Sequence, residues 1–301
     1  MSTVLQLENI CKSFGQGRKK TEALKSIDLQ VSEGEVCGFI GGNGAGKSTT
    51  IKIILDLVRP DRGVVTLYGQ DSASPNSRRG LAYLPEKATA NGLLTPLEIL
   101  RLNLSLHDIK RTDEISHCMN WLDRFGIASV ASKRIGGFSK GMMQRTLLAQ
   151  CFAVEPRMLI LDEPLSGLDP QGRRLVVDLL QEFRSAGGTM LFTSHVLHDV
   201  ESVADRVVVI DQGEIIANRS CQSLWHEGDK FVLMVWSAKP LESYQAKTGD
   251  YYQREINRAE LGAEITRLEN LGAVIVSAQP VQNLESMFFS STEKKASDGT
   301  Q

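Results

Sequence analysis

The segment Gly41-Gly42-Asn43-Gly44-Ala45-Gly46-Lys47-Ser48 decides the fold of this 301-residue chain. It fits the spacing G-x-x-x-x-G-K-S/T, which is typical of a loop that wraps phosphate groups. The apolar run Val36–Ile40 before it predicts a strand, and apolar residues at helical spacing after Ser48 predict a helix to about Leu57. Glycines let successive backbone N–H groups converge on one point, so we predict a phosphate-binding loop rather than a flexible glycine turn.

Two side chains of this loop suit a triphosphate. Lys47 would reach the β- and γ-phosphates, and the Ser48 hydroxyl would ligate Mg²⁺. The helix that begins at Ser48 adds its positive end, which favours an anion by ~0.3–1 kcal/mol at an exposed site. The predicted nucleotide-binding residues of this segment are Gly41, Asn43, Gly44, Ala45, Gly46, Lys47, Ser48 and Thr49.

A second motif is an apolar strand that ends in two adjacent carboxylates, Asp162 and Glu163. This placement puts Asp162 at the carboxyl edge of a sheet, where it is suited to Mg²⁺ directly or through water. Glu163 is suited to act as the general base for an attacking water. An acidic strand cap before the turn at Pro164 is the alternative for this pair taken alone, but the phosphate loop upstream favours catalysis.

Two further residues are candidates for contact with an anion. Ser139 opens a predicted helix and offers a hydroxyl beside free N–H groups, although it could serve only as the helix N-cap. His195 follows the apolar strand Met190–Phe192 and could hydrogen-bond a γ-phosphate or orient water. A histidine satisfied at the surface is the alternative for His195.

The order of predicted elements indicates an α/β fold. Apolar runs of buried-strand type at 158–161, 190–192 and 207–210 alternate with helical segments, which implies a mainly parallel sheet. Pro96 is a helix-start proline in a helical stretch from about Lys87 to Gly137. We predict a nucleotide-binding domain over residues 1–220, with a helical subdomain at about 87–150.

The composition shifts after about Ser220. Phe231–Trp236 predicts a strand, Arg258–Leu271 an amphipathic helix and Ala273–Ala278 another strand. We therefore predict a small α+β appendage over residues 221–290, followed by a flexible polar tail over residues 291–301.

Composition and charge exclude several functional classes. With 34 Lys and Arg against 36 Asp and Glu, the net charge of −2 argues against a nucleic-acid partner. None of the five cysteines pairs at a metal-ligand spacing, so we expect no zinc site and no disulfide framework. The sequence shows no signal peptide and no apolar run near the ~20 residues needed to span a bilayer. We predict a soluble chain, so any transport pore would have to be another polypeptide.

Read together, four motifs resemble the ATPase domain of ATP-binding cassette (ABC) proteins: GGNGAGKST, FSKGMMQR, LILDEPLSGLDP and TSHVL. The resemblance covers roughly Val4 to Ser220. It implies a P-loop NTPase fold with a mainly parallel sheet, an antiparallel β subdomain and a helical subdomain. It also implies ATP and Mg²⁺ as cofactors, and a homodimer that closes face to face around two ATP molecules.

The resemblance assigns further roles residue by residue. Ser139 and Gly141 would touch the γ-phosphate bound by the opposite subunit, and Asp169 would lie at the dimer seam. Lys140 stands where the family commonly has glycine and should still allow contact with an anion. Phe14 matches the aromatic residue that stacks on adenine, with a core phenylalanine as the alternative.

One position departs from the family pattern in a way that bears on the metal. Glu86 occupies the place of a glutamine that ligates Mg²⁺ and links the site to the membrane subunit. A carboxylate can still accept from water or bind the metal.

The Phe-Ser-Lys-Gly-Met signature, the segment Tyr83–Glu86 and the segment Asn283–Phe289 look like one exporter subgroup. That subgroup implies separately encoded membrane permease subunits, which would hold this chain at the inner face of the cell membrane. Asn283–Phe289 could also be a helix that completes the appendage core. A regulatory ATPase with a non-transporting membrane partner is an alternative function. A family member that acts on DNA or ribosomes is disfavoured because the chain has only one phosphate loop. A GTPase is disfavoured because the sequence has no Asn-Lys-x-Asp segment.

Overall fold

The computed structural model describes residues 2–15, 17, 20–87, 89–221 and 230–280. The chain divides into two compact units, Met1–Asn218 and Arg219–Gln301. Within the described residues, no helix has the length and apolar character needed to cross a membrane. The predicted exporter segment Asn283–Phe289 and the predicted tail over 291–301 lie outside the described residues.

The elements of the first unit alternate between strands and helices. The strands are β1 (Thr3–Phe14), β2 (Thr21–Ser32), β3 (Val36–Ile40), β4 (Arg62–Leu67), β5 (Gln70–Asp71), β6 (Leu81–Leu84), β7 (Met158–Leu161), β8 (Thr189–Ser194), β9 (Arg206–Asp211) and β10 (Glu214–Ser220). The helices are α1 (Lys47–Ile54), α2 (Pro96–Leu106), α3 (Glu114–Arg124), α4 (Lys140–Ala153), α5 (Pro170–Ser185) and α6 (Leu197–Val203).

The central sheet of this unit has the strand order β10-β9-β3-β8-β7-β6. The pairs β9–β3, β3–β8, β8–β7 and β7–β6 are parallel, which confirms the predicted mainly parallel sheet. Every residue of β3, β7 and β8 is buried, as expected for strands covered on both faces. Because Ile40 pairs with Ser194 and Leu161 with Phe192, the loops after β3, β7 and β8 begin at the same edge.

A second sheet in the first unit is antiparallel, with the order β2-β1-β4-β5. Its inward residues in β1 include Leu5, Leu7 and Ile10, and the period of two is broken by a register shift between Leu7 and Ile10. They belong to one apolar core together with Ile51 of α1 and Phe39 of β3. This shared core joins the two sheets through α1 and therefore fixes the loop that precedes α1.

The start of α2 agrees with its prediction from the sequence, whereas the end of α1 does not. Pro96 is the first residue of α2, where Thr95 and Glu98 form a reciprocal capping box. Helix α1 ends at Ile54 rather than near Leu57, so that prediction was wrong. Asp56 adopts a left-handed φ of 56°, which stops the helical path before the exposed Leu57.

Within residues 230–280, which the structure describes, the second unit has a four-stranded antiparallel sheet and one helix. Its elements are β11 (Lys230–Trp236), β12 (Gln245–Ala246), β13 (Tyr251–Asn257), α7 (Arg258–Asn270) and β14 (Val274–Pro280). The strand order is β12-β13-β11-β14. Leu233, Val235, Ile256 and Leu268 form its small core, in which Leu268 is contributed by α7. This arrangement is the α+β fold expected after the change in composition.

Candidate active site

The loop between β3 and α1 depends on glycine at its last position. Gly46 precedes α1 with a φ of 118°, in the left-handed region that residues with a β-carbon rarely adopt. A β-carbon there would lie 2.7 Å from Leu24 Cδ2 and 3.0 Å from the carbonyl oxygen of Ala23. Gly46 therefore packs against β2 and turns the chain into the helix.

Lys47 is largely buried and lies over the loop that precedes it. Its ammonium donates to the carbonyl oxygens of Gly41 at 2.7 Å and Gly42 at 3.2 Å. A lysine has three donors, so these two bonds leave one for a ligand. The first turn of α1 contains no acidic residue, and its N–H groups have no partner within the helix. The loop thus combines a cation with backbone donors, which is the chemistry that binds phosphate.

Asp162 and Glu163 are joined by the hydroxyl of Thr193, a fully buried residue of β8. Thr193 Oγ1 donates to Asp162 Oδ1 at 2.7 Å and accepts from the backbone N–H of Glu163 at 2.9 Å. The N–H of Asp162 donates to the carbonyl oxygen of Leu84 at 2.8 Å. Neighbouring strands on both sides therefore hold the pair of carboxylates at the end of β7.

Glu163 has a φ of 55°, in the left-handed region where a residue with a side chain is strained. Gln144 of α4 stabilises this turn because its Nε2 donates to the carbonyl oxygen of Pro164 at 3.0 Å. The carboxylate is mostly buried, and His195 Nδ1–H donates to Glu163 Oε2 at 2.7 Å. His195 itself is 62% exposed, so this pair lies between the core and solvent.

Negative charge accumulates at this edge of the sheet. The pKa of Tyr83, in β6, is raised to about 12, first by burial and then by the charges of Asp162 and Glu86. A field of this sign attracts a cation. Ser48, Asp162 and Glu86 all line one cavity and offer oxygen atoms, which are the donors that Mg²⁺ prefers.

The described residues contain no cluster of three His, Cys, Asp or Glu side chains that would form a complete metal cage. Mg²⁺ in nucleotide enzymes is commonly held by one or two carboxylates together with substrate phosphates, and Asp162 and Glu86 are such carboxylates in this cavity. The residues present therefore fit a metal that arrives with a nucleotide.

One cavity of about 500 Å³ brings these groups together. Its lining residues come from the phosphate loop, from the ends of the parallel strands and from β2. They are Ala23, Gly42, Asn43, Gly44, Gly46, Lys47, Ser48, Thr49, Glu86, Asp162, Glu163, Ser166 and His195. A triphosphate-sized space edged by one lysine, backbone donors and carboxylates is suited to bind a nucleotide with its metal.

Comparison with known proteins gives the family. A family model described as ABC transporter matches residues 24–166. An uncharacterized ABC transporter ATP-binding protein of Synechocystis is 32% identical, over 92% of this chain and 80% of that relative. This chain belongs to the family of ABC transporter ATP-binding proteins.

One further relative and one solved structure are similar to this chain. The doxorubicin resistance ATP-binding protein DrrA of Mycobacterium tuberculosis is 31% identical, over 87% of this chain and 80% of that protein. A solved dimeric ATP-binding cassette, bound to ADP and Pi, has a TM-score of 0.66. It is 23% identical and covers 72% of this chain and 98% of that one, so this likeness shows the fold alone. ABC cassettes bind ATP, and the family accounts for the resemblance of all four motifs.

Several predicted nucleotide-binding residues of this ABC protein do not line the cavity. Gly41 packs beneath the loop, where a β-carbon would lie 2.4 Å from the carbonyl oxygen of Ile210. Ala45 is buried. Phe14 is 44% exposed at the end of β1, which excludes the alternative of a core phenylalanine. Lys12 Nζ lies 5.5 Å from the centre of the Phe14 ring.

The signature residues of the family also lie outside the described cavity. Ser139 is the N-cap of α4, and its Oγ accepts from the N–H of Met142 at 3.2 Å. Asp169 is the N-cap of α5, and its Oδ1 accepts from the N–H of Gly172 at 3.1 Å. Both helix starts are exposed, so they are open to a second molecule.

Thr193 and Ser166 are among the residues of the site that were not identified from the sequence. Thr193 was noted within a family motif without a role, yet it links Asp162 to Glu163. Ser166 lines the cavity. The position of Thr193 at the end of an apolar strand, matching that of Asp162, was the available signal.

Proposed function

We propose that this chain is the ATP-hydrolysing subunit of an ABC exporter. The observation that carries the proposal is the single cavity in which Lys47, Ser48, Asp162, Glu163 and His195 meet.

The chemistry follows from the positions of these groups. Lys47 and the N–H groups of the loop neutralise the charge on the β- and γ-phosphate oxygens. Glu163 accepts a proton from the attacking water, and His195 holds the carboxylate through its 2.7 Å hydrogen bond. Ser48, Asp162 and Glu86 would hold Mg²⁺, which supplies further charge neutralisation when bound. Catalysis then rests on positioning and electrostatics rather than on a covalent intermediate.

We propose further that two copies close head to tail around ATP. Ser139, Gly141 and Asp169 do not line the cavity of their own chain, and they stand at the exposed starts of α4 and α5. A second copy turned to face the first would present them to its nucleotide. The dimeric cassette of similar fold supports this arrangement. ATP binding would close the dimer, and hydrolysis would reopen it.

A membrane permease would convert this motion into export. Beside the end of β6 lies a second cavity of about 320 Å³, lined by the β6 end, by residues of α2 and α4 and by the segment before α2. Leu102 and Leu106 line it, although their side chains are more than half exposed. Such a groove suits a short helix of a partner protein. The doxorubicin resistance in the name of DrrA supports a role in export.

The test compares Glu163→Gln with Glu155→Gln, which removes a surface carboxylate paired with Arg111. Loss of a general base should slow phosphate release by about 10²–10⁴-fold. The Glu163 variant should also elute as a dimer with magnesium–ATP, whereas the Glu155 variant should behave like the parent. Phosphate release at the parental rate by Glu163→Gln would refute the assigned base. Solute movement in vesicles with the membrane partner separates export from a regulatory function.

A further inference from the structure

Lys140 is placed against the local electrostatic preference. It is the first residue of α4, where the partial positive charge of the helix end disfavours a cation. The first turn of α4 contains no acidic residue, and among the described residues no ion pair includes Lys140. A cation at an unfavourable position without a carboxylate partner suggests that its ammonium makes a functional contact elsewhere.

The compensating contact is with the segment that follows the general base. Lys140 Nζ donates to Ser166 Oγ at 3.2 Å. The N–H of Ser166 donates to the carbonyl oxygen of Glu163 at 3.1 Å, which closes the turn that contains the strained Glu163. Ser166 also lines the nucleotide cavity. A chain of two hydrogen bonds therefore connects the start of α4 to the backbone of Glu163.

The start of α4 also packs against the segment that follows Ser166. The aliphatic part of Lys140 lies across Gly167, where a β-carbon would come within 2.4 Å of Lys140 Cδ. A β-carbon on Gly141 would lie 3.3 Å from the carbonyl oxygen of Gly167. Helix α4 holds the same turn a second time through the buried Gln144, which bonds the carbonyl oxygen of Pro164. Helix α4 therefore contacts this turn through both Lys140 and Gln144.

We propose that Lys140 is a positioning residue for hydrolysis: its ammonium holds Ser166 and thereby fixes the turn that presents Glu163. The inference rests on the proposed function, since it concerns the same catalytic base. It also assigns Lys140 a role that acts through a neighbour in its own chain, rather than through direct contact with the nucleotide.

The test measures steady-state phosphate release by the purified full chain. Lys140→Met keeps the aliphatic stem over Gly167 and removes the ammonium. We expect kcat to fall about three- to tenfold, as for the loss of one hydrogen bond of ordinary net strength, with the KM for ATP changed less than about twofold. Lys140→Arg should restore most of kcat because it keeps a donor in place. Lys133→Met, at an exposed lysine near the same helix, is the matched control and should leave kcat unchanged.

The double variant separates positioning from direct contact. If Lys140 acts through Ser166, then Ser166→Ala lowers kcat as Lys140→Met does, and combining the two lowers it no further. A raised KM in Lys140→Met, together with a normal Ser166→Ala, would overturn the proposal in favour of direct contact with a phosphate. A kcat of Lys140→Met within twofold of the parent would also overturn the proposal. A failure of the proposed function looks different, because Glu163→Gln would then still hydrolyse ATP.

Discussion

Removal of the Thr193 hydroxyl tests the hydrogen bonds that hold Asp162 and Glu163 in this site. Thr193→Val keeps the shape of the side chain in a fully buried position and removes the atom that bonds both Asp162 and Glu163. The unpaired N–H of Glu163 costs ~1–3 kcal/mol, and the lost bond to the Asp162 carboxylate ~1.5–3 kcal/mol. We therefore expect the free energy of unfolding to fall by about 2.5–6 kcal/mol.

Activity should fall as well, since the same bonds orient the base. If ~1.4–2.8 kcal/mol of this loss appears in the transition state, kcat falls about 10- to 100-fold. The control is Thr193→Ser, which keeps the hydroxyl and loses one buried methyl at a cost of about 1 kcal/mol in stability. Urea unfolding and phosphate release measure the two effects. A kcat for the valine variant within twofold of the serine variant would refute the reasoning.

Two further predictions concern the loop and the acidic edge. Gly46→Ala should lower the melting temperature and abolish ATP binding, because the new β-carbon would clash with Leu24 and the φ of 118° is strained for alanine. The control is Gly42→Ala, whose β-carbon would have no atom within 4 Å, and it should melt like the parent. Burial and Asp162 raise the pKa of Tyr83 from 10.0 to about 12, so the folded state holds this proton more tightly. The contribution of Tyr83 to the free energy of unfolding is therefore present below pH 10 and lost as the pH rises towards 12. In urea unfolding at a series of pH values, the free energy of unfolding of Tyr83→Phe should fall less steeply over this range than that of the parent.

The features that follow from local sequence could be predicted. The glycine spacing and the apolar run before it place Lys47 at a strand–helix junction, because both signals act within a few residues. The carboxylates after β7 were located in the same way, since a buried strand must end before a charged pair. Parallel strands then bring both to one edge without any further information.

Features that depend on pairing between distant segments could not be predicted. The bond from Thr193 to Asp162 requires β8 to pair with β7 in a particular register, Leu161 against Phe192. Strand β13 carries charged and polar residues between few apolar ones, and its pairing with β11 and β12 makes it a strand. The early end of α1 depends on a left-handed Asp56, which the helical periodicity beyond it conceals.

The starts of α4 and α5 show that a capping role and a functional role need not exclude each other. Ser139 accepts an N–H from its own helix, yet a hydroxyl that accepts still has its own proton to donate. It can therefore cap α4 and bond a phosphate oxygen at the same time. Asp169 differs because an ionised carboxylate has only acceptors, so it is repelled by phosphate. Its remaining oxygen can satisfy only donors, which favours a contact with the polypeptide of a second copy over a contact with the nucleotide.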